Sequence, residues 1–276
     1  MTISIITPSF RNSGWLKLCI ASVADQGIAI EHIVQDACSD DGTLDWLPSD
    51  QRVKAFVESD RGMYDGINRG LQKSSGDILA YLNCDEQYLP GGLQSVLQFF
   101  QDHPDIDVVF GHTVAVDASG NYLWHRKMLV PTRAHTAVLP LSILTCATFF
   151  RRSLVAERKI LFDTAWRYCG DAVWILAMLD AGVPMAVIPR FTSVFTHTGS
   201  NLSLDAKAQD EARKFWASAP KWNQRLRPLV LLHHRLRRLA GGIYSQRPFD
   251  FSLFTSESPH VRVTRHVQHP TARWRW

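Results

Sequence analysis

The chain has 276 residues, of which 46% are apolar and 20% charged, a balance that excludes a disordered chain and a membrane-spanning one. Its formal net charge of +4 conceals two unlike parts: residues 1–205 carry 16 Lys+Arg against 22 Asp+Glu, whereas residues 206–276 carry 14 against 4, which puts a domain boundary near residue 205. Five cysteines (Cys19, Cys38, Cys84, Cys146, Cys169), odd in number and without a CxxC pair, argue against a disulfide framework or zinc site and fit reduced cytoplasmic thiols.

The first residues, MTISIITPSF, lack a basic leader and read as a folded strand, so no export is expected. ISII (3–6) is stopped by TPS, and GWLKLCIASVADQG comes next with helical apolar spacing and a glycine stop. EHIVQD (31–36) is a second strand closed by the turn CSDDGT, and VKAFVE (53–58) a third. MYDGINRGLQKS places Met63, Ile67 and Leu71 on one helical face, and GDILAYLN is a fourth strand. This alternation predicts an α/β fold with a mostly parallel central sheet and helices on both faces, in which ligands sit beyond the carboxyl ends of the strands. The loops TPSF, DACSDDGT and NCDEQ all come after strand ends and so converge on one edge. Beyond Pro90 come a helix (GGLQSVLQFFQDHP), a buried strand (DVVFG), a hairpin turning at Asp117 to Gly120, and a buried helix over residues 170–182.

Neither GxxxxGK[ST] nor GxGxxG is present, and the first loop has no glycine before Gly14, so a backbone phosphate cradle is not expected there. NCDE at a strand end instead offers the oxygen ligands that Mg²⁺ or Mn²⁺ takes when shared with a diphosphate.

Taken together, SIITPSF, VQDACSDDGT, SDRGMYDGINRG, SGDILAYLNCDEQYLPGGL, ATFFRRSL, RYCGDAVW and FTHTGSNLS resemble the inverting family-2 glycosyltransferases of the GT-A fold, in the bacterial cell-surface polysaccharide branch, over roughly residues 3–203. The resemblance implies a catalytic domain over 1–205, with a nucleotide-sugar half (1–112) and an acceptor half (113–205). A basic helical extension (206–276) completes the chain. The same resemblance implies that Thr7, Pro8, Ser9, Phe10 and Asp36 hold the nucleotide base and ribose, and that Arg61, Asp65 and Asn68 lie beside the donor. In LNCDE, Asn83 replaces the first acid of the family's Asp-x-Asp and becomes a ribose or water contact beside Cys84, while Asp85 keeps the metal role and Glu86 stands where a second Asp is common. Asp171 matches the catalytic base, with Trp174 three residues on, although Gly170 departs from the acidic or apolar residue usual there. His197 matches a position that approaches the metal or diphosphate. The implied cofactor is a divalent ion, Mn²⁺ or Mg²⁺. The implied partners are a nucleotide-diphosphate sugar donor and a saccharide or lipid-linked saccharide acceptor, without nucleic acid. A catalytically silent nucleotide-sugar or glycan binding module is the alternative, and Asp85 together with Asp171 favours the enzyme.

The basic segment PKWNQRLRPLVLLHHRLRRLAGG has two readings: an interfacial helix on an anionic membrane surface, placing a cytoplasmic protein peripherally at the inner face of the cytoplasmic membrane, or a helix packed on the catalytic domain with its arginines in water.

Overall fold

The computed structural model describes residues 1–139, 143–199 and 206–272. In chain order the elements are β1 (Ile3–Ser9), α1 (Ser13–Ala24), β2 (Ile30–Asp36), β3 (Lys54–Val57), α2 (Met63–Lys73), β4 (Ile78–Tyr81), β5 (Gln87–Tyr88), α3 (Gly92–Asp102), β6 (Val108–Asp117), β7 (Tyr122–Arg126), α4 (Arg133–Thr136), β8 (Thr148–Arg151), α5 (Ser153–Ala156), α6 (Gly170–Asp180), β9 (Met185–His197), α7 (Ala206–Ser218), α8 (Lys221–Arg225), α9 (Arg227–Ala240), β10 (Phe249–Leu253) and β11 (Val263–Val267).

Nine strands form one sheet in the order β3-β2-β1-β4-β8-β6-β9-β5, with β7 paired to the second half of β6, beyond the stretch that pairs with β8. β3, β2, β1 and β4 are parallel, as the strand–helix alternation predicts. Past β4 the sheet becomes mixed: β8 runs antiparallel to both β4 and β6, β6 and β9 are parallel, and β5 is antiparallel to β9.

Strand pleating sorts the core onto two faces. Ile3 and Ile5 of β1, with Ile78, Ala80 and Leu82, meet Cys19 and Val23 of α1 and Leu93, Val96 and Phe100 of α3. Ile6, Leu79 and Tyr81 point the other way, onto Tyr64, Ile67 and Leu71 of α2 and Trp174, Ile175 and Met178 of α6. α2 lies so close to β1 that a Cβ on Gly70 would fall 2.5 Å from Ile6 Cγ2, so only glycine fits there.

The expected boundary at residue 205 lies outside the described residues. The C-terminal extension is only partly helical. α7 to α9 give way to a β10–β11 hairpin whose Phe251, Leu253 and Val267 pack on Val114, Val116 and Val194 of the main sheet. Arg262 ties the hairpin down, its guanidinium reaching both oxygens of Asp25 (2.5 and 2.6 Å) and the Tyr88 carbonyl (3.0 Å). Gln87 exchanges two hydrogen bonds with the backbone of Phe254 (2.8 and 2.9 Å). All five cysteines are free thiols, and among the described residues no helix is long and apolar enough to cross a membrane.

Candidate active site

The parallel strands end abreast. Register pairs Ser9 with Asp36 and Asp36 with Val57, and the Leu82 N–H donates to the Ile6 carbonyl (2.9 Å), so the loops after β1, β2, β3 and β4 open on one edge. The β2 loop folds back over the β1 loop. Arg11 lies over the Phe10 ring and makes a two-point ion pair with Asp40 (2.5 and 2.7 Å), while Asp41 accepts the Ser13 N–H (2.9 Å). Phe10 is left 52% exposed at the mouth of this loop pair, a flat apolar surface on which a base could stack.

Asp36 is fully buried and turns back on Ser39, accepting its N–H (2.7 Å) and its hydroxyl (2.8 Å), one on each oxygen. Each oxygen keeps a second acceptor position. Ser9 is buried and its Oγ has no hydrogen-bond partner among the described residues, and the Asn83 Oδ1 is likewise buried without one. Two orphaned polar atoms at neighbouring strand ends are what a site awaiting a polar ligand presents.

Three expected contacts are placed otherwise. Thr7 shares the pleat face of Ile3 and Ile5, so its hydroxyl is buried against the His32 Nε2 (2.9 Å) rather than at the strand mouth. Both polar atoms of Asn68 are engaged with the backbone of Phe162, donating to its carbonyl (2.8 Å) and accepting its N–H (3.0 Å), which makes it a clasp between α2 and the loop before α6. Cys84 packs with Leu16, Ile20, Val34 and Leu47, and burial pushes its thiol well up, so its side chain is core. Pro8 is buried at the end of β1.

Arg61 and Asp65 form one unit. Asp65 accepts the Arg61 N–H (3.1 Å), lies within reach of its guanidinium (3.4 Å) and pairs with Arg69 (3.0 Å); burial opposes ionisation, yet these partners hold its carboxyl below the usual range. Asp60, not anticipated as a site residue, is pushed the other way by burial, assisted by the charges of Asp65 and Asp36.

The β4 turn carries the metal candidates. Glu86 is buried and accepts the Asn83 N–H (2.9 Å); burial raises the carboxyls of both Asp85 and Glu86, and Asp85 adds to the effect on Glu86. Such a pair holds one negative charge readily and a second only beside a cation. Among the described residues no three His, Cys, Asp or Glu side chains cluster closely enough to cage a metal. The oxygen set still fits Mg²⁺ or Mn²⁺, which take only one or two protein ligands and complete their shells with phosphate and water. His197 ends β9, edge-on to Trp124 (5.7 Å between ring centroids) and Phe195 (5.1 Å). β5 pairs Gln87 with Val194, and carrying that antiparallel register onward brings the end of β9 alongside the Asp85 turn.

Asp171 stands in the first turn of α6, one residue inside its start, and is not the N-cap residue. Its Oδ1 accepts the Ala172 N–H (2.8 Å) and its own N–H donates to the Tyr64 hydroxyl (3.1 Å). Burial pushes the Asp171 carboxyl up to about 7, the Ala172 N–H and the charge of Arg126 pulling against it. Tyr64 reaches this position because residue 170 is glycine: a Cβ there would lie 2.5 Å from the ring. The departure from the family pattern at Gly170 therefore has a steric cause. Tyr64 stacks on Phe162 (5.3 Å), and Phe162 on Trp174 (4.4 Å), which locks the helix start to α2. The buried phenol of Tyr81 is raised by burial first, then by Tyr64 and by the charges of Asp171 and Glu86, so both carboxylate centres lie within electrostatic reach of one side chain.

Sequence reasoning missed Tyr64 and Glu211. Glu211, from α7, accepts the N–H groups of Arg167, Tyr168 and Cys169 (2.9, 3.0 and 3.2 Å) and so fixes the loop that delivers Asp171. A carboxylate before a helix start also favours the positive end of the helix dipole.

Residues 4–158 match the profile of Glycosyl transferase family 2, more than half of the chain. The chain belongs to glycosyl transferase family 2. It is similar to a PGL/p-HBAD biosynthesis glycosyltransferase of Mycobacterium bovis (31% identity, covering 44% of this chain and 49% of that one). It is also similar to a candidate teichuronic acid biosynthesis glycosyltransferase, TuaG, of Bacillus subtilis (30% identity, 36% of this chain and 42% of that one). The matched region thus spans about half the length of the curated relatives or less. Among solved structures, residues 1–349 of S. aureus TarS in complex with UDP-GlcNAc superpose with a TM-score of 0.61 at 18% identity, over 78% of this chain and 65% of that one. The mannosyltransferase PcManGT of Pyrobaculum calidifontis, in complex with GDP-Man and Mn²⁺, gives 0.54 at 16% identity, over 87% and 75%. At these identities the likeness is one of fold, and the fold is GT-A.

Proposed function

We propose that this family-2 chain transfers a sugar from a nucleoside-diphosphate sugar to a hydroxyl of a saccharide or lipid-linked saccharide, with inversion, in bacterial surface-polysaccharide synthesis at the inner face of the cytoplasmic membrane. The observation that carries the proposal is Asp171: a carboxyl with one oxygen fixed by the Ala172 N–H, the other without a hydrogen bond among the described residues, and a pKa raised to about 7. A general base poised near the working pH is what a single-displacement transfer requires.

In that step Asp171 Oδ2 takes the proton of the attacking hydroxyl as its oxygen bonds to the anomeric carbon. The bond from that carbon to the donor's diphosphate breaks on the opposite face, and the nucleoside diphosphate leaves with the electron pair. A Mn²⁺ or Mg²⁺ ion shared by Asp85 and the diphosphate would supply the positive charge that the leaving group needs. Ser9, Asp36 and Phe10 are assigned to the nucleoside: hydroxyl and carboxylate oxygens for ribose or base edges, the phenyl ring for a base face. Asn83 Oδ1 is assigned to the ribose or a water. Arg61 is assigned to the donor phosphates. The silent-module alternative lacks any reason to hold Asp171 in this state.

The test is turnover of Asp171→Asn with a panel of nucleotide sugars. Release of nucleoside diphosphate should fall about 100-fold or more while donor binding persists; wild-type turnover by the variant removes the assignment.

A further inference from the structure

α9 is fixed to the body by one side only. His234 stacks on His135 with ring centroids 3.5 Å apart, the Arg237 guanidinium donates to the Val130 carbonyl (2.9 Å), and Arg238 is buried over the Tyr244 ring (4.6 Å). Just before it, the Asn223 side chain donates to the Ala134 carbonyl (3.1 Å). On the opposite side, Leu229, Leu232, Leu236 and Leu239 recur at intervals of three and four and remain 60%, 51%, 55% and 65% exposed. Exposed Trp222 and Leu226 extend this apolar surface toward α8. Scattered surface leucines need no explanation, but a continuous stripe on one helix face does.

The charges around it say what covers it. Residues 219–240 hold six Lys or Arg and no Asp or Glu. Arg237 and Arg238 face the protein, while Arg235 is exposed on the flank of the stripe and Lys221, Arg225 and Arg227 are exposed around the start of the helix. A second copy would set one such cationic rim against another, whereas an anionic bilayer complements both the charges and the leucines. At 14 residues the helix is too short to span a bilayer and suits lying in its plane.

We propose that α9 is the membrane-docking element, its leucine stripe entering the acyl boundary of an anionic bilayer while Lys221, Arg225, Arg227 and Arg235 engage lipid phosphates. The proposal deepens the functional reading at one point, since α9 rests on α4 and α4 on α6, whose first turn carries Asp171. Docking would bring the catalytic base to a lipid-linked acceptor. The binding itself does not depend on transfer.

Co-sedimentation of the full chain with phosphatidylglycerol/phosphatidylcholine vesicles tests it, beside pure phosphatidylcholine vesicles and at rising salt. One variant combines Leu229→Gln, Leu232→Gln, Leu236→Gln and Leu239→Gln; a second combines Lys221→Gln, Arg225→Gln, Arg227→Gln and Arg235→Gln. Each should lower partitioning onto anionic vesicles about tenfold or more, and wild-type binding should weaken with salt. All eight positions are exposed, so circular dichroism and turnover with a water-soluble acceptor should be retained. Absence of turnover in every protein, with vesicle binding intact, would count against the transferase reading and leave docking standing. Docking is overturned if the wild type ignores anionic vesicles, if both variants bind as the wild type does, or if the wild type is a dimer that the leucine variant dissolves.

Discussion

The hydroxyl of Tyr64 accepts the backbone N–H of Asp171 at 3.1 Å, joining the first turn of α2 to the first turn of α6 across 107 residues of chain. α2 starts at the edge where the parallel strands end, so this bond ties Asp171 to that edge. Tyr64→Phe removes the acceptor and leaves the ring stack. The Asp171 N–H then lacks its partner, and stability should fall by about 1 kcal/mol. The larger effect should be on kcat, about five- to tenfold, with KM for the donor little changed. Equal losses in both constants would show that Tyr64 shapes donor binding instead.

Gly170→Ala meets the same ring from the other side. Its Cβ would stand 2.5 Å from Tyr64, so the ring must move or α6 must shift. A fall in melting temperature together with kcat is expected, and Gly170→Ala placed in a Tyr64→Ala background, where the ring is already gone, should cost little further stability. A Gly170→Ala protein indistinguishable from the wild type would contradict the packing.

Glu211 links the basic extension to the loop that carries Asp171, through three backbone N–H groups before α6. Glu211→Ala leaves those donors without their carboxylate, and turnover should drop about tenfold with the far-ultraviolet circular dichroism spectrum retained. Removing residues 206–276 altogether goes further, since it also strips Phe251, Leu253 and Val267 from the sheet and Arg262 from Asp25. The truncated chain should lose its cooperative thermal transition, and one that melts like the full chain would show the extension to be a detachable appendage.

The parallel part of the sheet was largely readable from periodicity, because β1, β2 and β4 are short apolar-rich runs and β1 and β3 lead into helices of regular apolar spacing. Thr7 was misplaced for want of a simple step: it shares parity with Ile3 and Ile5, and the pleat sends all three to the α1 face. The roles of Asn68, Tyr64 and Glu211 had no local signal, since their partners lie 94, 107 and 43 residues away. Gly170 was the one visible trace of Tyr64, an anomaly against the family pattern whose cause appears only when the ring is in place. The β10–β11 hairpin was obscured by charge, because a strongly basic tail reads as surface even where alternate residues are apolar.

The proposed metal site rests on the Asp85–Glu86 turn. Asp85→Ala should abolish the Mn²⁺-dependent part of nucleoside-diphosphate affinity, measured by calorimetry with metal and with EDTA. Removing Asp85, whose charge helps to raise the Glu86 carboxyl, should also ease ionisation of Glu86. Identical affinities with Mn²⁺, with EDTA and in the variant would exclude the metal assignment.

Asp171 also makes a stability prediction with a definite sign. Its folded-state pKa, about 7, lies above the value near 3.9 of an unfolded aspartate. Its contribution is therefore intact below about pH 4 and lost as pH rises through 7, where the folded chain must carry an ionised carboxylate in a buried setting. Asp171→Asn should match the wild type in acid and exceed it above pH 8, by about 1–2 kcal/mol once partial solvent contact is allowed for. Denaturant unfolding at both pH values measures the difference, and a variant less stable at pH 8 would reverse the sign.

The central claim, base-catalysed transfer by Asp171, meets its most direct test in the pH–rate profile of nucleoside-diphosphate release under saturating donor and acceptor, wild type beside Asp171→Asn. The account predicts a wild-type rate that climbs tenfold per pH unit below about 7 and levels above it, and a variant slowed about 100-fold whose profile has lost that inflection. A variant that keeps both the wild-type rate and the inflection near 7 would contradict it.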